Sequence, residues 1–354
     1  TDPTAASSMP ATPANWVAAV AADAPAYWWR FEGTAVGDGV PNQGSVAGFS
    51  GIYGTGIRNV DLGKPSASAG LGNALEFTGP RSGNAAATLV PSMKYVDFGA
   101  PIPELYNLRS APTEKAATLE YWIKTTQRGS HGDNAWQSPA IFARESGGDG
   151  DMYWGWINAQ GDFGFSTSDM HDATATNLAD GLWHHIVMTK IWYDSQACVS
   201  RLFVDGGALN GGRSFEVTTP GGNSSQQDDD GTIQYLGFTQ NGELDDTQFI
   251  GEIDEVAIYP QAFNEAQARL HYLAAGIVPA TFKVTDISVD AATRDVTVTW
   301  EAVAGVSYRV LRASSLSGTW ENAGEVTATG NTATFTDTNR PAGAGTWFYR
   351  VVRN

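Results

Sequence analysis

One cysteine in 354 residues excludes any internal disulfide. Cys198 lies in Ala197-Cys-Val-Ser-Arg-Leu-Phe-Val204, an apolar strand-like run where a lone thiol serves as a small buried hydrophobe. Basic residues are few, 21 Lys and Arg against 38 Asp and Glu, and the formal charge is −17. Such a surface repels phosphate backbones and anionic headgroups, which excludes nucleic acid as a partner. No apolar run reaches the length of a membrane span, so membrane insertion is not expected. Histidine is scarce at five residues, and neither a His-Glu-x-x-His pair nor a phosphate-cradling glycine loop occurs. Nothing marks a nucleophile elbow. No charged-then-apolar leader opens the chain. Thr1-Asp-Pro-Thr-Ala-Ala-Ser-Ser8 reads instead as the end left after signal removal, which points to a secreted or bacterial cell-surface protein.

What the chain does have is glycine (40), proline (16) and aromatics at 11%. That is the composition of a turn-rich, strand-rich globular protein. Residues 1–24 read as an extended Ala/Ser/Thr/Pro tail and a short helix capped by Asn15. From residue 25 to 276 short strand signals alternate with Gly, Asp and Asn turns. Examples are Ala74-Leu-Glu-Phe77, Ala117–Lys124, Tyr153-Trp-Gly-Trp-Ile157 and His185–Lys190. A helix capped by Asn264 and ended by Gly276 closes this domain, and 277–279 forms a linker at Pro279. A second strand series fills 280–354: Thr281–Val289, Asp295–Trp300, Ser307–Arg312, Thr332–Thr336 and Trp347–Val352, with Trp300 and Tyr308 as core anchors. The fold class expected is all-β, a large sandwich followed by a small one.

The most telling segment is Phe249-Ile-Gly-Glu-Ile-Asp-Glu-Val-Ala-Ile-Tyr259. Ile253 falls on one strand face and Val256 and Ile258 on the other, so the parity slips at Asp254-Glu255, as it does at a bulge. This strand resembles the closing strand of laminin G-like/pentraxin-like modules of the concanavalin A-like jelly-roll superfamily. Asp23–Gly33 resembles the entry strand of such modules in large exported bacterial proteins. Asn73–Gly79 and Tyr95–Gly99 resemble the strands that follow, and Asp180–Thr189 with Leu202–Gly207 resembles the central ones. The resemblance implies a jelly roll over 25–276 with enlarged loops near 100–115, 127–137, 145–152, 166–178 and 220–231. Residues 280–354 resemble an immunoglobulin/fibronectin type III-like sandwich that lacks an evident last strand, since Phe348-Tyr-Arg-Val-Val-Arg-Asn354 ends the sequence.

Several chemistries compete. Laminarinase-type glycosidases of this superfamily carry Glu-x-Asp-x-(x)-Glu, and Glu252-Ile-Asp254 begins that pattern. Val256 and Ala257 stand where the second Glu belongs, so the strand lacks the two carboxyls a retaining enzyme needs about 5 Å apart. His184 and His185 are adjacent on a strand and cannot grip one ion together. The superfamily resemblance implies a structural Ca²⁺ held by Asp254 of the closing strand, answered by Glu32 or by the turn Asp38–Asn42. The alternative is that Asp254 and Glu255 bond only to turn amides. A sugar platform would need exposed aromatics. Trp154 and Trp156, placed on one strand face, and Trp136 are the candidates.

The expected function is non-catalytic: a calcium-stabilised extracellular structural or adhesive protein. A self-assembling version of this expectation docks Thr4, Ala5, Ala6, Ser7 and Ser8 of the tail at an open edge near Tyr349 and Val351. Its partners would be other protein subunits, itself included, or glycans. The alternative is a carbohydrate-binding module of a polysaccharide-degrading system, and behind it stands a glycoside hydrolase.

Overall fold

The computed structural model describes residues 15–353 except 79–91, 106–114, 130–134, 145–151, 168–169, 194–196, 209–211, 221–232, 241–247, 277–282, 303–306, 317, 331 and 340–344. The expected tail residues Thr4 to Ser8 and most of the expected loop enlargements lie outside the described residues. The chain divides into two compact units, Trp16–Tyr272 and one that begins at Leu273.

The first unit is an all-β, concanavalin A-like sandwich with two helices. Its early strands are β1 (Tyr27–Trp29), β2 (Ile52–Tyr53), β3 (Lys64–Pro65), β4 (Asn73–Phe77) and β5 (Val96–Asp97). The middle strands are β6 (Lys115–Lys124), β7 (Ala140–Arg144), β8 (Met152–Ile157), β9 (Phe163–Thr167) and β10 (Met170–Ala175). The last are β11 (Trp183–Tyr193), β12 (Ala197–Val204), β13 (Arg213–Pro220), β14 (Tyr235–Leu236), β15 (Phe238–Gln240) and β16 (Gly251–Tyr259). Helix α1 (Trp16–Ala22) precedes them and α2 (Glu265–Ala274) follows.

An eight-stranded sheet runs β13-β12-β11-β6-β16-β4-β3, with β1 also on β16. A five-stranded sheet runs β10-β9-β8-β7-β15, and a small one runs β14-β5-β2. Strand alternation sends Leu119, Tyr121 and Ile123 of β6 into the core, where they join Leu75, Ile186, Ile253 and Ile258. Trp154, Phe163 and Phe165 of the second sheet belong to the same core. The even-numbered residues Thr118, Glu120 and Trp122 point the other way, yet they are buried as well. The two helices are the reason: Trp16 of α1 meets Trp122 edge-on at 5.9 Å, and Tyr272 of α2 stacks on Trp122 at 5.6 Å. α2 starts with a reciprocal capping box, in which Gln267 N donates to Asn264 Oδ1 at 3.0 Å and Asn264 N to Gln267 Oε1 at 3.1 Å.

The parity slip in β16 is a bulge. Its register on β6 shifts between Asp254 and Ala257, and Glu255 adopts φ 52. The bulge lets one strand hold two neighbours: 251–253 pair with β4, and 256–258 pair with β1.

The second unit holds two three-stranded sheets. One is β17 (Val284–Val289), β18 (Val296–Glu301) and β21 (Thr332–Asp337), in the order β17-β18-β21. The other is β19 (Ser307–Ala313), β20 (Glu321–Thr327) and β22 (Phe348–Arg353), in the order β20-β19-β22. Trp300 and Tyr308 are fully buried and meet edge-on at 5.8 Å, as expected of core anchors. β20 was not anticipated, because Glu-Asn-Ala-Gly-Glu-Val-Thr has little apolar alternation and takes its form from pairing with β19.

Candidate functional site

The outer face of the eight-stranded sheet changes character along its length. At the helix-covered end a buried polar cluster fixes the helices. Glu120 accepts from Tyr259 Oη at 2.6 Å, His185 Nε2 at 2.8 Å and His271 Nδ1 at 2.8 Å. His271 Nε2 reaches Asp23 Oδ2, just after α1, at 3.0 Å. Burial alone would push the Glu120 carboxyl up, but the His271 charge and the two imidazole hydrogen bonds hold it below the usual range. Burial likewise opposes a charged His271, and the Glu120 charge with the Asp23 hydrogen bond lifts it to about 9. The cluster is closed to solvent. It is a fastening rather than a reaction centre.

At the other end of the same face the helices stop and a cleft of about 250 Å³ opens among Glu76, Thr78, Lys124, Thr126, Gly181 and Glu252. Lys124, Glu252 and Glu76 are direct cross-strand neighbours on β6, β16 and β4. Lys124 Nζ donates to Glu252 Oε1 at 2.8 Å, and Lys64 Nζ donates to Glu76 Oε2 at 2.7 Å. Lys124 Nζ also sits 5.9 Å from the ring centroid of Trp183, which is half-buried at the start of β11. The result is one row across five strands: Trp183, Lys124, Glu252, Glu76, Lys64. Gly251 keeps the floor clear, since a Cβ there would come within 2.5 Å of the Lys124 carbonyl oxygen. Of this row only Glu252, its middle member, stands out in the sequence as a candidate for chemistry. Its partner Glu76 comes from a strand far upstream, a pairing that no local pattern reveals.

A third feature is the acidic bulge. Glu255 is buried, accepting from Trp28 Nε1 at 2.7 Å and Arg30 Nε at 2.8 Å. Burial raises its carboxyl to about 7 against the pull of Arg30. Asp254 is buried too, accepting from Ser66 Oγ at 2.5 Å and from the Glu255 amide at 2.7 Å. Burial, then the Glu255 and Glu32 charges, push it well above the carboxylate range.

Of the other expected calcium ligands, Glu32 acts on Asp254 through its charge but is itself held, Oε1 by Arg30 at 3.0 Å and Oε2 by the Asn73 amide at 3.1 Å. Asn42 is fully used, with Oδ1 accepting from Trp28 N and Gly44 N and Nδ2 donating to the Val46 and Gly48 carbonyls. Asp38 Oδ2 caps the amides of Thr34 and Ala35. Among the described residues no group of three or more His, Cys, Asp or Glu side chains is arranged to hold a metal ion.

The aromatic platform is corrected. Trp154 and Trp156 do not share a face, because the β8–β9 register shifts between them at Gly155, which has φ 96. Trp154 faces the core, donating from Nε1 to the Leu105 carbonyl at 2.9 Å. Trp156 packs with Tyr153, Ala140 and Ala143 on the opposite side. Both are buried and offer no ring to a ligand. The Trp136 side chain lies outside the described residues. His184 and His185 do point apart, the first to Asp180 and Asp205 and the second to Glu120.

Fold and faces together define an all-β sandwich of the concanavalin A-like kind. The family described as the concanavalin A-like lectin/glucanases superfamily matches residues 103–269. No curated protein matches the chain. Among solved structures, a mutant Trypanosoma rangeli sialidase displaying trans-sialidase activity is 13% identical at TM-score 0.44, over 74% of this chain and 35% of that one. Domain 4 of AbnA, a GH43 extracellular arabinanase from Geobacillus stearothermophilus in complex with arabinotriose, is 13% identical at TM-score 0.37, over 70% of this chain and 98% of that one. The Ruminococcus gnavus IT-sialidase CBM40 bound to sialyllactose is 16% identical at TM-score 0.30, over 46% and 89%. The chain thus spans about a third of the length of the sialidase it resembles, 35%. The expectation of a structural or adhesive protein is corrected at this point. The similar structures named here are sialidases, an arabinanase domain and a sialidase CBM40, and none of them is a structural or adhesive protein. Among the described residues no helix is long and apolar enough to cross a membrane.

Proposed function

We propose that this chain binds carbohydrate without cleaving it, holding a glycan in the outer-face cleft of its jelly roll, residues 25–276. The observation that carries this reading is the uncovered row Trp183-Lys124-Glu252-Glu76-Lys64. A sugar ring has an apolar C–H face and a rim of hydroxyls. Trp183 offers an aromatic surface to the first, and the fixed carboxylate and ammonium groups offer acceptors and donors to the second. Because the ion pairs set these groups in place beforehand, little side-chain ordering is left for the ligand to impose. The description of the matched superfamily, which names both lectins and glucanases, supports a carbohydrate ligand.

The test is a glycan array followed by calorimetry on the hits. Trp183→Ala and Glu252→Gln should each weaken binding about tenfold, the loss of one stacking face or one charge-assisted bond. Failure of the wild type to bind any polysaccharide would sink the proposal.

A second reading rests on Glu76. It lies directly opposite Glu252, at the cross-strand spacing where Cβ atoms are roughly 5 Å apart, near the carboxyl separation a retaining glycosidase uses. Against it, each carboxylate is ion-paired to a lysine, whereas a general acid must keep its proton near neutral pH. Reducing-sugar release by the wild type, abolished in Glu252→Gln, would establish this second reading instead.

A structural Ca²⁺ belongs to the proposal with a revised ligand set, Asp254 and Glu32 without Asn42. The fit rests on Asp254, a buried carboxyl with no cation partner among the described residues, on which the charges of Glu255 and Glu32 both act. Adding EDTA to protein purified without chelator should lower the melting temperature by several degrees, and excess Ca²⁺ should restore it. An unchanged melt would remove the ion. The two facing three-stranded sheets support reading 280–354 as fibronectin type III-like, joined through 277–279. A glycan partner would also suit a secreted or bacterial cell-surface location.

A further inference from the structure

The small sheet β14-β5-β2 of the first unit turns one face to the core and one away from it. Val96 of β5 faces inward with its cross-strand neighbours Leu236 and Tyr53, and all three are buried. The alternate residues form a row on the other face, where Asp97 stands directly between Ile52 and Tyr235. Tyr95 shares that face, two positions before Asp97. Ile52 is 67% exposed, and Tyr95, Asp97 and Tyr235 are half-buried. The exposed aromatic surface sought at Trp154 and Trp156 is found here instead, on tyrosines.

The two rings are fixed by their neighbours. Tyr235 stacks on Phe238 at 5.5 Å, Tyr95 meets Phe238 edge-on at 6.0 Å, and Phe238 is itself buried. The tyrosines meet each other edge-on at 5.6 Å. Gly54 of the loop after β2 makes room for the Tyr95 ring, since a Cβ there would come within 2.5 Å of it. Asp97 Oδ1 accepts from Gly99 N at 2.8 Å and from Gln234 Nε2 at 2.6 Å. Its Oδ2 and the two phenol hydroxyls have no partner among the described residues. Burial and then the Asp97 charge raise both phenols above their ordinary value, which sets the carboxylate beside both hydroxyls.

We propose that this face is a second sugar-binding surface, separate from the cleft, and that it takes a neutral oligosaccharide lying across Tyr95 and Tyr235. The rings and Ile52 offer apolar surface to the C–H face of a sugar. Asp97 Oδ2 accepts from its hydroxyls, and the phenols can donate as well as accept. An ammonium group brings donors only and would leave both phenol hydrogens without an acceptor, whereas sugar hydroxyls serve in both roles. An acidic sugar would meet the Asp97 charge with no lysine or arginine in the row to offset it. Lys94, next to Tyr95 in the chain, is buried and bonded to Asp61 at 2.6 Å. Because Phe238 and Gly54 preset the rings, binding has little of the protein left to order.

Calorimetry on the full chain tests this with cello-, manno-, xylo- and arabino-oligosaccharides, and with sialyllactose and oligogalacturonate as acidic controls. Each is titrated into the wild type and into Trp183→Ala, whose cleft lacks its ring. A neutral oligosaccharide should still bind Trp183→Ala, and the acidic controls should not. In that background Tyr235→Ala should weaken binding about tenfold, the loss of one stacking ring. Since Tyr235 also packs on Phe238, two further variants leave that contact alone. Asp97→Asn keeps an oxygen for the Gly99 amide and should weaken binding about tenfold, the loss of a charge-assisted acceptor. Ile52→Lys sets an ammonium opposite Asp97 and should weaken it as much, with the melting temperature unchanged because Ile52 is exposed. Neutral binding that Trp183→Ala abolishes, or that Asp97→Asn and Ile52→Lys both leave intact, would overturn this surface and leave the cleft standing. Binding that these two remove and Trp183→Ala spares would assign the glycan to this face and not to the cleft. An acidic control that binds Trp183→Ala and is lost with Tyr235→Ala would overturn the neutral class.

Discussion

Glu120→Leu is expected to cost the first unit about 3–5 kcal/mol, the penalty for removing one partner of a buried charged pair. The substitution leaves His271 charged, buried and facing only Asp23, and it strips Tyr259 and His185 of their acceptor. His185, Tyr259 and His271 are all buried, so water cannot replace the lost bonds. Glu120→Gln keeps an acceptor and should cost less, about 1–3 kcal/mol. Urea unfolding reads the effect as a lower midpoint at unchanged slope. A Glu120→Leu midpoint equal to that of the wild type would show that the cluster contributes nothing to the attachment of the helices.

Stability should peak near pH 5 and fall on both sides. Glu120 lies below its ordinary value in the folded state, so its contribution is complete above about pH 4.5 and is lost as pH falls. Glu255 is raised from 4.5 to about 7, so the folded state holds a proton that the unfolded state releases. Its penalty grows as pH rises from 4.5 to 7 and stays constant above, at about 3 kcal/mol by the 1.36 kcal/mol per unit conversion. Asp254 acts in the same direction. His271 is raised from 6.5 to about 9, so its contribution is full below 6.5 and disappears as pH climbs through 9. Thermal melts from pH 4 to 10 in EDTA should therefore decline steadily above pH 5, and Ca²⁺ bound at Asp254 should flatten the stretch from 5 to 7. A maximum at pH 8 or above in EDTA would contradict the buried protonated carboxylates.

The sequence made the closing strand and its bulge legible because Ile253, Val256 and Ile258 break a period of two within six residues. The helix at Asn264 was legible for the same local reason, a cap at its start and Gly276 beyond its end, and the structure adds the Gln267 half of the capping box. The cleft was not. Its row joins β3, β4, β6, β11 and β16, and strand order is set by packing between distant segments. The reading of Trp154 and Trp156 failed on one glycine, because Gly155 at φ 96 shifts the alternation that had placed both rings together. Asn42 failed differently: its amide already satisfies four backbone groups, which residue type alone does not disclose.

The bulge in β16 also governs when the first unit can be completed. β1 and the Trp28 indole wait for Val256 and Glu255, more than two hundred residues downstream, with 227 positions between Trp28 and Glu255. A ribosome working at about 5–20 residues per second exposes the entry strand, unpaired, for roughly ten seconds or more before its seam partner emerges. Folding is therefore a late, long-range closure rather than a stepwise build from the first strand. A chain cut anywhere before Val256 leaves β1 without a place in the sheet.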